Sequence, residues 1–310
     1  MSPDRPDSVH DAQVEIDGHR LRLRNLDKVL YPATGTTKAE VIDYYARVAE
    51  VMLPLLAERP VSRFRWPDGV AAQSFVEKSV PQGTPDWVRT VTLDAPGSSK
   101  DRGTITYPLV DSLAALTWLA NLAALELHVP QWKVGRRGTE RDPDRLVIDL
   151  DPGAPAALPE CAEVALLVRE RLAADGLECV PVTSGSKGLQ LYAPLSGRQD
   201  ADVVREYAKR LAESLARERR DLVVSSMAKA LRPGKVLLDW SQNHHAKTTI
   251  CPYSLRGREH PNAAAPRTWD EIEDAGSLTQ LHHRAVVERL DDLAHVTEAL
   301  QHTGPRVPTS

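Results

Sequence analysis

The chain has 310 residues, 42% hydrophobic and 26% charged, with a formal net charge of −4. That length supports a large buried core in one or two domains, and the composition is ordinary for a water-soluble globular protein. The polar residues 1–8 lack an apolar signal region, no stretch reaches the uninterrupted apolar length of a membrane-spanning helix, and a cytoplasmic protein is expected. Cys161, Cys179 and Cys251 are odd in number, widely spaced and fit no zinc pattern, so they read as reduced thiols. The charge is uneven. Residues 225–260 carry six Lys/Arg against two acids, while residues 261–310 carry four Arg against eight acids. An acidic periphery around a basic middle is compatible with a phosphate-binding face, or with ordinary solvated charge.

Residues 1–18 and 301–310 read as polar tails flanking one folded region, 19–300. Thr37 and Glu40 have capping-box spacing, predicting a helix that starts there and runs through Met52. A helix start offers free N–H donors, so Gly35-Thr36-Thr37-Lys38, with Lys28 nearby, is a candidate anion site or a plain helix cap. A second helix is predicted after Asp111-Ser112, running through Leu127. From 145 the order becomes diagnostic: a strand (145–150), a helix (158–174) stopped by Gly176, and strands near 177–183 and 189–193 around the turn 184–188. A helix (200–219) and a strand (235–240) follow. This β-α-β-β-α-β order predicts an α+β fold with a ferredoxin-like, RRM-like catalytic core at about 145–260, preceded by an N-terminal α/β module.

In that unit the first and last strands lie side by side, with the third on the first one's other flank. Asp149 and Asp151 are two apart on the first strand and share a face. Asp239 ends the last strand, so the topology predicts three neighbouring carboxylates, bordered by Gln190. An all-oxygen set of this kind suits hard divalent cations and metal-assisted nucleotidyl transfer. The pairs Asp142/Asp144 and Asp200/Asp202 lie outside apolar strand-like runs. The turn Ser184-Gly185-Ser186-Lys187-Gly188 has the composition of a phosphate-cradling nest, or of a surface hairpin. Arg232-Pro233-Gly234-Lys235, Lys247, Arg256 and Arg258 are further phosphate-binding candidates.

With these residues in place, the chain resembles the polymerase domain of bacterial ATP-dependent DNA ligase D, a branch of the archaeo-eukaryotic primase superfamily. The likeness runs from Leu21 to Trp269 through the segments 25–32, 125–132, 149–151, 182–188, 237–243 and 253–258. It implies a metal-dependent polymerase of non-homologous end joining that takes NTP or dNTP, favours ribonucleotides and extends 3′ ends at gapped or broken double-stranded DNA. It implies two Mn2+ or Mg2+ ions on Asp149, Asp151 and Asp239. By position, His128, Ser184, Lys187, Gln190, Arg232, Gln242 and Arg256 fall on nucleotide contacts, and Lys28 and Lys38 on the pair that recognises a 5′-phosphate. The family's second motif usually ends in His, where this chain has Gln190. The family's template-side Phe-Phe pair reads Phe75-Val76, removing one stacking ring worth about 1–3 kcal/mol per base. No ligase Lys-x-Asp-Gly motif occurs. The expectation is therefore a monomeric, nucleoid-associated polymerase working with a separate ligase and an end-binding protein. The competing expectation is a DNA-end-binding module with weak or lost polymerase activity. An Asp-x-Asp sugar transferase would leave Asp239 and the lysine pair unexplained.

Overall fold

Alternation along a single strand organises the molecule. In the Arg145–Pro152 strand, Leu146, Ile148 and Leu150 bury into one core with the helices Leu158–Ala174 and Ala201–Glu218. Val147, on the other face, joins a second core built around the helix Lys38–Leu56. A period of two assigns Asp149 and Asp151 to that second face, away from the helices. The computed structural model describes residues 11–95 and 103–309.

The strand belongs to a six-stranded sheet ordered Val223–Val224, Val236–Asp239, Arg145–Pro152, Leu189–Pro194, Val180–Thr183, Ala265–Pro266. Every pairing is antiparallel except that of the two-residue Val223–Val224 edge with Val236–Asp239. The first and last strands of the expected unit are thus adjacent, and the third lies on the first one's other side. A four-stranded sheet runs Thr249–Ile250, Ala124–Val129, Ser62–Arg65, Phe75–Glu77. Its Leu125, Leu127 and Val129 share the second core with Tyr44, Tyr45, Val48 and Met52 of the long helix. Buried tyrosine hydroxyls tie the layers together: Tyr45 donates to the Leu125 carbonyl and Tyr44 to the Tyr253 carbonyl. Such buried hydroxyls would be costly without partners.

The Lys38–Leu56 helix starts where its capping box predicts, with Thr37 Oγ accepting from the Glu40 N–H and Glu40 accepting from the Thr37 N–H. Two expectations need correction. The second helix ends at Asn121, and Ala124–Val129 is a strand. Ala123 takes a left-handed φ of 56°, which breaks the helix, and pairing with Ser62–Arg65 then captures the apolar run. The presumed tails also carry structure. Ala12–Ile16 pairs with His19–Leu23, and residues 1–10 lie outside the described ones. At the other end Val307 is 2% exposed. Its N–H donates to Gln199, whose own amide donates to the Val307 carbonyl. One buried valine and this reciprocal pair hold a segment whose composition reads as loose.

Among the described residues no helix is long and apolar enough to cross a membrane. Cys161, Cys179 and Cys251 are unpaired and buried.

Candidate active site

Asp149 and Asp239 are direct partners in the antiparallel register, and Asp149 faces Gln190 across its other edge. Asp239 is 8% exposed, Asp149 is partly buried and Asp151 is the most exposed of the three. Burial, then Asp151 and Asp239, push the Asp149 carboxyl up to about 7. The Asp151 carboxyl is raised by desolvation and by Asp239. The strands have brought like charges together in a place where water cannot screen them fully.

Neutral donors brace two of these carboxylates. Gln190 Nε2 donates to Asp149 Oδ1 at 3.0 Å, and Gln190 Oε1 accepts from the Tyr192 hydroxyl at 2.9 Å. Gln242 Nε2 donates to Asp239 Oδ2 at 2.9 Å. The Ser241 N–H and hydroxyl both donate to Asp239 Oδ1, and Lys247 Nζ donates to Ser241 Oγ. Gln190 and Gln242 therefore rest on the carboxylates themselves. The donor set is all oxygen and carries uncancelled negative charge, which fits hard divalent cations. Among the described residues, however, no three or more His, Cys, Asp or Glu side chains converge closely enough to form a cage by themselves.

The 184–188 turn is more internally satisfied than a phosphate nest requires. Ser184 Oγ accepts from the N–H groups of Ser186 and Gly188, and Gln280 Oε1 accepts from the Gly185 N–H. Lys187 stays exposed at its tip. Gly188 is required by close approach, since a Cβ there would fall 2.0 Å from the Leu150 carbonyl oxygen. The turn is thereby pressed against the aspartate strand. Arg256 reaches it from the far side, its Nε donating to the Ser184 carbonyl at 2.6 Å. Arg232 lies near Asp151, with its Nη2 on the Met227 carbonyl.

His128 stands on the second sheet, where its Nε2 pairs with Glu126 at 2.8 Å and its ring packs 4.6 Å from that of Phe64. Arg256 Nη1 meets the same Glu126 oxygen at 3.3 Å. Glu126 was not singled out from sequence. The available signal was an acid set among Leu125, Leu127 and Val129 on a strand, two residues before His128.

Lys28 and Lys38 are brought together because the Lys38 N–H donates to the Lys28 carbonyl, closing a small hairpin at the helix start. Lys38 is 7% exposed and its Nζ donates to the Arg24 carbonyl. Burial first, and Lys28 second, lower it to about 8. Lys28 is half-exposed and pairs with Asp68. Phe75 and Val76 are exposed, on the edge strand of the second sheet.

Paired strands carrying three aspartates, with His128 of a second sheet and Arg256 of the loop after Thr249–Ile250 joined through Glu126, are the arrangement of a primase-polymerase-type domain. The family described as LigD, primase-polymerase domain, matches residues 37–297. The multifunctional non-homologous end joining protein LigD of Mycolicibacterium smegmatis is 48% identical over 92% of this chain and 37% of that protein. The bifunctional non-homologous end joining protein LigD of Bacillus subtilis is 30% identical over 87% of this chain and 42% of its own length. Among solved structures, the polymerase domain of Mycobacterium tuberculosis ligase D in complex with DNA superposes with a TM-score of 0.87. That match has 48% identity and covers 92% of this chain and 99% of that domain. The chain belongs to the LigD primase-polymerase family. It spans about two fifths of the length of these full-length relatives.

Proposed function

We propose that the protein adds nucleotides, ribonucleotides by preference, to 3′ ends at gaps or breaks in DNA during end joining. The observation that carries this reading is the register: Asp149 opposite Asp239, with Asp151 on the same strand face. Asp149, Asp151 and Asp239 would hold two divalent cations, Mn2+ or Mg2+. Such ions, when bound, neutralise a triphosphate and activate an attacking hydroxyl. Gln190 and Gln242 hold the carboxylates in place and border the incoming nucleotide. His128, Ser184, Lys187, Arg232 and Arg256 surround the triphosphate and sugar. Lys28 and Lys38 receive the 5′-phosphate on the far side of a gap, beside the helix start. Exposed Phe75 and Val76 face the template. In the spatial order fourth, first, third, second, the core strands make a ferredoxin-like, RRM-like unit within a domain that takes in the Ala12–Ile16 strand and the segment held at Val307. We further propose a cytoplasmic, nucleoid-associated monomer whose product passes to a ligase, with an end-binding protein as partner.

Incubation with a 5′-phosphorylated gapped duplex, manganese and each nucleotide in turn tests the reading. Template-directed extension, stronger with ribonucleotides, is the expected result. A second reading is a DNA-end-binding module with weak polymerase activity. It is favoured by the amides that occupy Asp149 and Asp239 and by the lack of a closed cation cage among the described residues. Tight binding of the 5′-phosphorylated duplex without extension would establish that alternative.

A further inference from the structure

Glu126 is 6% exposed and gathers donors from two distant parts of the chain. Its Oε2 is shared by His128 Nε2 at 2.8 Å and Arg256 Nη1 at 3.3 Å, and its Oε1 accepts the Gly257 N–H at 3.0 Å. We propose that Glu126 is a positioning residue for the nucleotide site, aiming His128 and Arg256 together. The proposal rests on the reading of those two side chains as nucleotide contacts.

The surrounding structure makes the arrangement specific. Gly257 can bring its N–H to Glu126 only because it lacks a side chain; a Cβ there would fall 2.2 Å from the Trp66 ring. Arg256 is fixed at three further points. Its Nε donates to the Ser184 carbonyl, its N–H to the Asn262 carbonyl, and its own carbonyl accepts from the Tyr31 hydroxyl at 2.8 Å. Phe64 packs against the His128 ring and lies opposite Glu126 in the strand register. With one nitrogen of His128 and two of Arg256 engaged, His128 Nδ1 and Arg256 Nη2 are the nitrogens left outside this network to meet a ligand.

Only an ionised carboxylate suits the three donors. It has acceptors on both oxygens, whereas a glutamine would turn an NH2 group toward one of the donors. Burial opposes ionisation, but His128, Arg256 and the Gly257 N–H together hold the carboxyl down at about 2. The carboxylate stays charged throughout the neutral range. Burial holds His128 below the ordinary imidazole value, so the carboxylate balances the Arg256 charge and fixes both side chains before a ligand arrives.

The test compares Glu126→Gln with the unaltered chain by equilibrium binding of a fluorescent ribonucleoside triphosphate in manganese. Thermal melting and affinity for 5′-phosphorylated duplex are measured in parallel. Glu126→Gln should weaken nucleotide binding roughly 10- to 100-fold, the range for hydrogen bonds to charged groups, with duplex affinity unchanged. In a His128→Ala, Arg256→Ala background the same substitution should have little further effect, because the groups it aims are gone. Glu126→Asp, which keeps the charge at shorter reach, should fall between Glu126→Gln and the unaltered chain, and it decides the matter if Glu126→Gln does not fold. An equal, additive loss in the double-variant background, or a parallel fall in duplex affinity, would make Glu126 a brace of the fold and overturn the proposal. Failure of the unaltered chain to bind nucleotide at all would instead overturn the functional reading, before any variant is compared.

Discussion

The two sides of the site are held in opposite ways. On the acidic side, Asp149 and Asp239 are braced by the neutral amides of Gln190 and Gln242 and by Ser241. On the cationic side, His128 and Arg256 are braced by a charged group, Glu126. Neutral bracing fixes the carboxylates without supplying a countercharge, and burial, then Asp151 and Asp239, raise Asp149. Charged bracing fixes His128 and Arg256 and balances the Arg256 charge, while burial holds the His128 ring below the ordinary imidazole value. The carboxylates thus remain an attractor for cations, whereas on the proposed reading the nucleotide donors are set before any ligand arrives, as electrostatic preorganisation requires.

The largest effect should come from breaking the acidic side. Asp149→Asn or Asp151→Asn is expected to abolish nucleotide addition, read by extension of a gapped duplex. The metal-free melting temperature at neutral pH should hold or rise, because each substitution removes one of several crowded negative charges. Wild-type extension rates in either variant would remove the carboxylates from the chemistry. A marked loss of stability would show that the carboxylates are structural anchors.

The lysine pair offers a test outside both sides. Lys38→Met should reduce the preference for a 5′-phosphorylated over an unphosphorylated end by roughly tenfold, as for a lost charge-assisted hydrogen bond. With Lys38 lowered to about 8 by burial, the free protein should lose that preference as pH rises through 8, when the ammonium deprotonates. The stability sign runs the other way. Between about 8 and the ordinary lysine value of 10.5 the unfolded chain binds more protons than the folded one, so Lys38 makes stability rise with pH across that window. Titrating the affinity ratio of the two ends between pH 7 and 9 measures the first effect. A flat ratio would assign phosphate recognition elsewhere.

The smallest effects sharpen the contrast between neutral and charged bracing. Gln190→His introduces a donor that can be protonated beside Asp149. It should lower the apparent KM for nucleotide by roughly two- to tenfold, more at pH 6 than at pH 8, with Gln190→Ala moving the other way. Steady-state extension at varied nucleotide and metal concentration is the measurement. If only the metal dependence moves, position 190 acts solely by holding Asp149 and does not touch the triphosphate. For Gln242→Ala, which removes one of three donors to Asp239, a rise in the metal concentration needed for half-maximal rate is expected, without loss of the maximal rate.

The aspartate site was legible because its logic is local and periodic. Asp149 and Asp151 share a face by the strand's period of two, and a β-α-β-β-α-β order leaves few places for Asp239 except beside them. The capping box at Thr37 and Glu40 was equally plain, since four consecutive residues satisfy their own backbone donors. The order of the core elements and the placing of Asp149 and Asp151 on one strand beside Asp239 on the next could thus be read from local pattern alone. The remaining features depend on contacts between distant parts of the chain. Residues 123–129 are apolar enough for a helix or a strand, and pairing with Ser62–Arg65 on one edge and Thr249–Ile250 on the other selects the strand. Residues 303–309 read as a tail until Gln199 and the buried Val307 hold them. The Ser184–Gly188 turn looks like an open nest until Gln280, 92 residues beyond Gly188, fastens it. Glu126 acquires its meaning from Arg256, 130 positions away, because a buried charge is tolerated only where its partners meet it, and partners that distant are chosen by the packing of the whole chain.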